Sequence, residues 1–438
     1  MDSDYYYSNE NIDHINKKGG NKMGNEKQKL FDILKERGYI KDMTHEKEIV
    51  DLLNKEGQTF YLGIDPTADS LHVGHFFALT LFRWLQDFGH KGIIVIGGAT
   101  ALIGDPSGKS DMRMMLSKKE VEHNKKEVKE LIKKFVKIDG DNPAIILDNA
   151  DWINEHSFID FMRNIGVHFN VNTMLKADCY ARRLAEGGLT FLEMGYMLMQ
   201  GYDFVHLNNE YNCRLQIGGS DQWSNIIAGV DLSRKINNLK NKEKEVLYGL
   251  CCPLLVKADG EKMGKTESGT LWVSRDKTTV YDFYQTWINC FDEDVERTLT
   301  FFTRMPVSDI KELCKSNIIK AKKLMAFEVT KLVHGEKEAE KAKKTAEELF
   351  GTKKTSEDMP VVEMDIKLIE GGINILDLLV EANIAPSKSE GRRLIEQGGI
   401  KINQEKEKDV DRTIFEKDLK EKTLAIQKGK KTFIQIKF

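Results

Sequence analysis

TFYLGIDPTADSLHVGHFFALTLFRWLQDFGHKGIIVIGGA, residues Thr59–Ala99, reads as strand, helix, strand. TFYLGI (Thr59–Ile64) is a short apolar run rich in β-formers. Pro66 and Asp69–Ser70 then punctuate the chain, and Ser70 is placed to cap the helix that follows. From Phe76 to Phe88 apolar residues recur at helical spacing. IIVIGGA (Ile93–Ala99) is a continuous apolar run ended by glycine, the pattern of a parallel strand buried on both faces. A βαβ unit of this kind puts the helix start beside the carboxyl ends of the strands, the crevice in which open α/β sheets bind nucleotides. HVGH (His72–His75) falls there, on the expected first turn.

Outward from this unit, CRLQIGG (Cys213–Gly219) is a second strand ending in a glycine pair. VLYGLCCPLLV (Val246–Val256) is strand-like and leads into KMGKT (Lys262–Thr266). Residues 115–200 look mostly helical, with a charged helix at Lys118–Val136. Val280 to Phe350 is helical again and rich in Lys and Glu. Gly351–Met364 is polar, contains Pro360, and is expected to be a linker. Asp365–Phe438 reads as a small separate domain with a basic helix, IKIN, and an alternating TFIQIKF terminus. A chain of 438 residues requires more than one core. The expected parts are a disordered extension (1–28), a Rossmann-like parallel-sheet catalytic domain (29–255), a lysine loop with a helical domain (256–350), the linker (351–364) and an α+β C-terminal domain (365–438).

Composition narrows the class. The chain is 40% hydrophobic and 31% charged, with a net charge of −3, which argues against indiscriminate coating of nucleic acid. Residues 371–438 carry 14 Lys and Arg against 11 Asp and Glu, a mild basic excess where a polyanion-binding module would use it. The six cysteines show no CxxC spacing, as expected of reduced thiols in a cytoplasmic protein. No apolar run approaches the roughly 20 residues of a membrane span, so no membrane association is expected. The first 22 residues lack Arg and any apolar stretch, so neither a secretory nor a mitochondrial signal fits.

Several polar groups carry chemistry. His72 and His75 share one helix face, and Gly74 between them lets a ligand approach the backbone. With the helix N-terminus they suit a nucleotide phosphate. Zinc lacks a third ligand at plausible spacing. Lys262 and Lys265 lie on a glycine-punctuated loop that can close over a triphosphate and neutralise leaving pyrophosphate. HVGH and KMGKT in this order point to attack of a carboxylate on the α-phosphate of ATP. GDPSGKS (Gly104–Ser110) mimics a phosphate loop, but Ile103 stands where that motif needs glycine. Tyr196, Gln200 and Asp203 form one stripe of an otherwise apolar helix, where buried polar groups require partners. GGSDQW (Gly218–Trp223) adds Asp221 and Gln222 in a turn suited to ribose hydroxyls or an ammonium.

As a set, YLGIDPTADSLHVGH, GGATALIGDPSGKS, YMLMQGYDF, LQIGGSDQW and KADGEKMGKTESG resemble the bacterial-type tyrosyl-tRNA synthetases, a family of class I aminoacyl-tRNA synthetases. The resemblance runs from about Lys29 to the C-terminus. It implies that Tyr61 and Asp203 bind a phenol hydroxyl, with Asp105, Tyr196, Gln200 and Gln222 around the ammonium of tyrosine. Gly63, Asp65, Gly219 and Asp221 would position the substrate backbone and ribose, with Gly74 and His75 against the nucleoside. His72 and Thr67 would act near the γ-phosphate. Lys109, Arg113, Lys262, Lys265 and Thr266 would clamp the phosphates. The implied reaction forms tyrosyl-adenylate and then passes the acyl group to tRNA(Tyr). ATP would be a substrate accompanied by Mg²⁺, no metal would be held tightly by the protein, and the assembly would be a homodimer.

The same resemblance makes the C-terminal domain S4-like, with Ser387 and Glu390 as a capping box, Gly398 ending the helix, and Lys388, Arg392 and Arg393 facing tRNA. Three positions depart from the family: Gly264 in place of the class-wide serine, Leu62 where cysteine is frequent, and Ser224 where glycine is usual. They imply altered nucleotide affinity at most. The rival readings are a tryptophanyl-tRNA synthetase, a general nucleotidyltransferase and a catalytically silent RNA-binding paralogue. The Tyr61/Asp203 pair and the S4-like tail weigh against the first. The tyrosine-pocket stripe is unneeded by the second. Intact His72, His75, Asp105 and Lys262 weigh against the third.

Overall fold

The computed structural model describes residues 29–107, 115–239, 246–266, 269–350, 361–403, 405–419, 422–429 and 432–438. The expected extension at 1–28 and most of the expected linker, 351–360, lie outside them, as do Lys109 and Arg113. The chain divides into two compact units, one running up to Lys277 with Phe291–Ala321, the other Thr278–Cys290 with Lys322–Phe438. The break expected at 255/256 therefore falls inside the first unit.

The first unit is built on a six-stranded sheet. Its strands are β1 (Asp42–Met43), β2 (Thr59–Ile64), β3 (Lys91–Ile96), β4 (Ile145–Asp148), β5 (Cys213–Gly219) and β6 (Tyr248–Cys252), in the order β1-β6-β5-β2-β3-β4. All neighbours are parallel except β1 with β6. From β2 the chain winds outward through β3 and β4, then returns to β5 and β6 on the other side. The order therefore reverses between β2 and β5, and the crevice at their carboxyl ends is a topological switch point. β2 and β5 have the bounds read from sequence. β6 is shorter than the apolar run Val246–Val256, and β4 lies in a region read as helical.

Helix α1 (Val73–Asp87) follows β2 and is buried nearly all round, from Phe76 to Trp84 and Leu85. Gly92 on β3 permits this packing, since a Cβ there would lie 2.2 Å from Phe82 Cζ. The helix's own Asp87, whose side chain is 3% exposed, takes three cations, Arg83 at 3.0 Å, Lys137 at 3.0 Å and Arg304 at 2.8 Å. A carboxylate so enclosed needs such partners. Ser70 does not cap α1. Its hydroxyl accepts from Ser274 N–H at 3.3 Å, and the N-cap is His72. Helix α2 (Phe191–Tyr211) starts in a Thr190/Glu193 capping box and ends at Asn212, which adopts φ +51°. It approaches α3 (Trp223–Leu239) closely where Gly201 meets Gly229, 3.6 Å from an added Cβ to backbone.

In the second unit, strands β9 (Val361–Glu363), β10 (Ile400–Ile402), β11 (Glu405–Lys406), β12 (Thr423–Lys428) and β13 (Thr432–Lys437) form a sheet in the order β11-β10-β12-β13-β9. β9 pairs in parallel with β13, so residues 361–363, expected in the linker, belong to this sheet. Ile400, Leu424, Ile426 and Ile436 from the sheet pack with Ile375, Leu378 and Ile395 from helices α4 (Ile375–Glu381) and α5 (Lys388–Glu396). This is the α+β domain expected at the C-terminus. Among the described residues no helix is long and apolar enough to cross a membrane.

Candidate active site

A cavity of about 470 Å³ opens at the carboxyl ends of β2 and β5. Every pocket residue expected from sequence and described to its side chain lines it, from Tyr61 on β2 to Lys262 before the loop's end. The backbone of Lys265 and Thr266 forms β7 (Lys265–Thr266), paired with β8 (Gly269–Thr270); their side chains lie outside the described ones.

The deep end is apolar with a polar tip. Tyr61 is buried against Phe204, with ring centroids 5.2 Å apart, and its hydroxyl has no hydrogen-bond partner among the described residues. Burial, and then the nearby Asp203, raise its pKa well above the ordinary value. Asp203 accepts from Trp152 Nε1 at 2.8 Å and from Asn149 Nδ2 at 3.1 Å. Burial lifts its pKa from 3.8 to about 7, against the two hydrogen bonds that lower it; Asp65 and Asp148 add to the rise. The folded carboxyl thus keeps its proton to a higher pH than the unfolded one. Folding takes up a proton between about pH 4 and about pH 7, so stability from this group falls as pH rises through that window and is level above it. Thermal denaturation of the protein and Asp203→Asn across that range checks this, since the variant is expected to lack that share of the decline.

A second cluster surrounds Asp105. Its carboxylate accepts from Ser107 N–H at 2.9 Å and from Gln222 Nε2 at 2.7 Å. Asn225 Nδ2 reaches Gln222 Oε1 at 3.1 Å and Ser107 Oγ at 3.3 Å. Gln222 therefore presents its amide nitrogen to Asp105 and its amide oxygen to Asn225. Tyr196 donates to Asp65 at 2.9 Å, and Thr100 donates to the other Asp65 oxygen at 2.7 Å. Asn149 bridges Thr100 and Asp203, joining both ends of the pocket in one polar chain. Gln200 Oε1 and Gln216 Oε1 are buried acceptors on the cavity wall without partners among the described residues. Such atoms cost about 1–3 kcal/mol each unless a ligand donor meets them. Asn149, Trp152, Gln216 and Asn225 were not found from sequence. Reading β4 would have marked Asn149, the residue just past its carboxyl end.

At the shallow end Gly63 faces open space, with nothing within 4 Å of an added Cβ. Across from it a Cβ on Gly219 would lie 2.6 Å from Asp221 Oδ1. Burial, then Asp105, raise the Asp221 pKa, while Lys262 opposes the shift. His72 caps α1 through Nδ1, which accepts from Gly74 N–H at 3.0 Å and His75 N–H at 3.3 Å. Its ring stacks on His75 with centroids 3.8 Å apart. An added Cβ on Gly74 would sit 2.9 Å from His72 Cε1, so glycine there lets the ring fold back. An Nδ1 occupied as acceptor leaves the proton on Nε2, a donor for an incoming anion.

Gly264 was expected to lend mobility. It is buried with φ +90°, and an added Cβ would lie 2.4 Å from Val73 Cγ2. Gly264→Ser, which restores the class-wide residue, combines a strained φ with this contact, about 1–3 kcal/mol. It is expected to slow, about tenfold, the adenylate formation that the resemblance implies, measured by ATP–pyrophosphate exchange.

The C-terminal basic helix begins as expected at Ser387, which accepts from Glu390 N–H at 3.3 Å, and Gly398 follows its end with φ +69°. The capping box is half-formed, because the Glu390 carboxylate turns to Arg393 at 2.7 Å. Lys388 pairs with Asp377, and Arg392 is exposed.

Residues 53–351 match the family described as tRNA synthetases class I (W and Y), and residues 352–436 match the tyrosine–tRNA ligase SYY-like C-terminal domain. The tyrosine–tRNA ligase of Clostridium tetani is 49% identical over 94% of this chain and 99% of its own length. That of Clostridium perfringens (strain ATCC 13124) is 50% identical over 93% and 98%. The crystal structure of a C-terminally truncated mitochondrial tyrosyl-tRNA synthetase from Coccidioides posadasii matches with a TM-score of 0.62 at 30% identity, covering 77% of this chain and 96% of that one.

Proposed function

The chain belongs to the class I tRNA synthetases of the tryptophan and tyrosine family, and we propose from that premise that it is a tyrosine–tRNA ligase. The observation that carries the choice of amino acid is the buried Tyr61 hydroxyl, unpartnered beside an Asp203 that Trp152 and Asn149 hold in place. A phenol hydroxyl satisfies both groups, and an indole or a phenyl ring does not.

Tyrosine enters ring first. Its ammonium meets Asp105 and the Gln200 carbonyl oxygen, and its carboxylate points toward the shallow end. ATP lies across the glycine backbone at Gly63, Gly74 and Gly219, with ribose near Asp221 and the nucleoside by His75. A tyrosine carboxylate oxygen forms a bond to the α-phosphorus while the bond to the bridging oxygen breaks, and pyrophosphate leaves. Thr67 and His72 Nε2 stabilise charge on the phosphates, Lys262 and Lys265 neutralise the leaving group, and Thr266 helps to clamp it. Lys109 and Arg113 join this clamp. Mg²⁺ travels with ATP as part of that substrate. A tRNA(Tyr) 3′-terminal hydroxyl then attacks the adenylate carbonyl and releases AMP, without an acyl-enzyme. The basic α5 face, Lys388, Arg392 and Arg393, contacts the tRNA backbone. The exposed Phe158, Ile159, Val167 and Phe191 support assembly as a homodimer, and the six free cysteines suit a cytoplasmic setting.

ATP–pyrophosphate exchange with each amino acid in turn tests this. Exchange with tyrosine alone is expected; exchange with tryptophan, or none, would overturn the reading. Phenylalanine is expected to be rejected by roughly 10⁵, a magnitude taken over from tyrosyl-tRNA synthetases themselves, which are the reference case for this effect.

A further inference from the structure

The chain leaving the lysine loop runs back along the segment that precedes α1. Val273 N–H donates to Leu71 O at 2.9 Å, and Val73 N–H donates to Leu271 O at 3.3 Å. These two bonds flank an antiparallel bridge between His72 and Trp272. A pair flanked in this way is the non-hydrogen-bonded kind, whose side chains lie closest, with Cα atoms about 4.5 Å apart. The His72 and Trp272 rings are 6.5 Å apart by centroid, and both residues line the cavity. Trp272 is itself held: Lys277 Nζ lies 5.5 Å from its ring centroid and bonds Asp69 at 2.7 Å. Ser274 N–H adds a bond to Ser70 Oγ at 3.3 Å.

We propose that Trp272 is a positioning residue for His72, coupling placement of the lysine loop to the aim of the imidazole donor. His72 is fixed on one side by its cap bonds and on another by the His75 stack. Both come from α1 itself. Trp272 is the contact that comes from the chain carrying KMGKT. The β8 strand runs straight into it, so displacing the loop strand removes that wall from the ring. Nucleotide closure thereby aligns lysines and imidazole together. The inference rests on the reading that His72 Nε2 meets the phosphates of ATP.

A double-mutant cycle on tyrosine activation tests it. Trp272→Ala is expected to lower kcat about tenfold with KM for tyrosine unchanged, and Trp272→Phe to restore most of the rate. In a His72→Asn background the same change is expected to cost less than about twofold, because there is no donor left to aim. Trp272→Leu, which keeps apolar bulk without the ring, carries the cycle if the alanine variant does not fold. A tenfold loss in both backgrounds would overturn the proposal, as would an equal rise in KM for ATP in both, which marks direct nucleotide contact. If His72→Asn alone leaves kcat intact, the assignment of His72 fails and takes the coupling with it. If His72→Asn is slow and Trp272 merely additive, the coupling alone fails.

Discussion

Asp203→Ala is expected to lower kcat/KM for tyrosine by about three orders of magnitude, with KM for ATP changed by about twofold or less. The carboxylate accepts from Trp152 and Asn149 and faces the unpartnered Tyr61 hydroxyl. Removing it takes away the acceptor proposed for the substrate phenol and leaves one buried N–H each of Trp152 and Asn149 unpaired. A hydrogen bond to a charged group contributes about 1.5–3 kcal/mol, and each orphaned buried donor costs about 1–3 kcal/mol. Part of that cost exists before tyrosine binds, so about 4 kcal/mol is assigned to the catalytic comparison, or close to 10³ in rate. In the proposed binding mode the nucleotide takes the other end of the cavity, apart from these bonds. Phenylalanine, which never supplied a hydroxyl, is expected to lose far less, so the tyrosine-to-phenylalanine preference collapses along with the rate. Pyrophosphate exchange with both amino acids measures this. An equal loss of tyrosine and ATP use would show that Asp203 supports the fold rather than the phenol.

The parts of this site visible in one dimension are those where a single strand or helix carries both the pattern and the chemistry. Thr59–Ile64 and Cys213–Gly219 are short, apolar and bounded by punctuation, and their bounds in space agree with the pattern. The stripe Tyr196, Gln200, Asp203 was visible because polar groups interrupt an apolar helix. β4 was not: four residues, half-exposed, between helical stretches, give too short a period to separate from its surroundings. Missing it hid Asn149 and Trp152, although the polar residue past a parallel strand is where function is expected. The cap on α1 was misplaced for a different reason. Ser70 fits the usual cap chemistry, whereas the acceptor is an imidazole nitrogen two residues later, enabled by Gly74. The return of Phe291–Ala321 to the first unit is a long-range event, stabilised in part by Arg304 on Asp87, and no local pattern announces it.

The imidazole cap makes a clean separation of folding from catalysis possible at His72. Asparagine is among the best N-cap residues, and its Oδ1 can take over the bonds from Gly74 and His75 N–H. It cannot place a donor where Nε2 lies. His72→Asn is therefore expected to melt near the parent protein and to bind tyrosine with unchanged KM, yet to lose about 10²–10³ in kcat for adenylate formation, the usual cost of deleting one preorganised donor to a charged transition state. His72→Ala removes the cap as well and adds a stability loss of about 1 kcal/mol. The two variants should thus share a catalytic defect and differ in melting temperature. Calorimetry beside single-turnover adenylate formation measures both quantities. Equal rates for His72→Asn and the parent would show that the ring serves the helix alone. In that case the glycine at position 74 would be there to accommodate a cap, and the anion site would have to be built from Thr67 and the lysines without it.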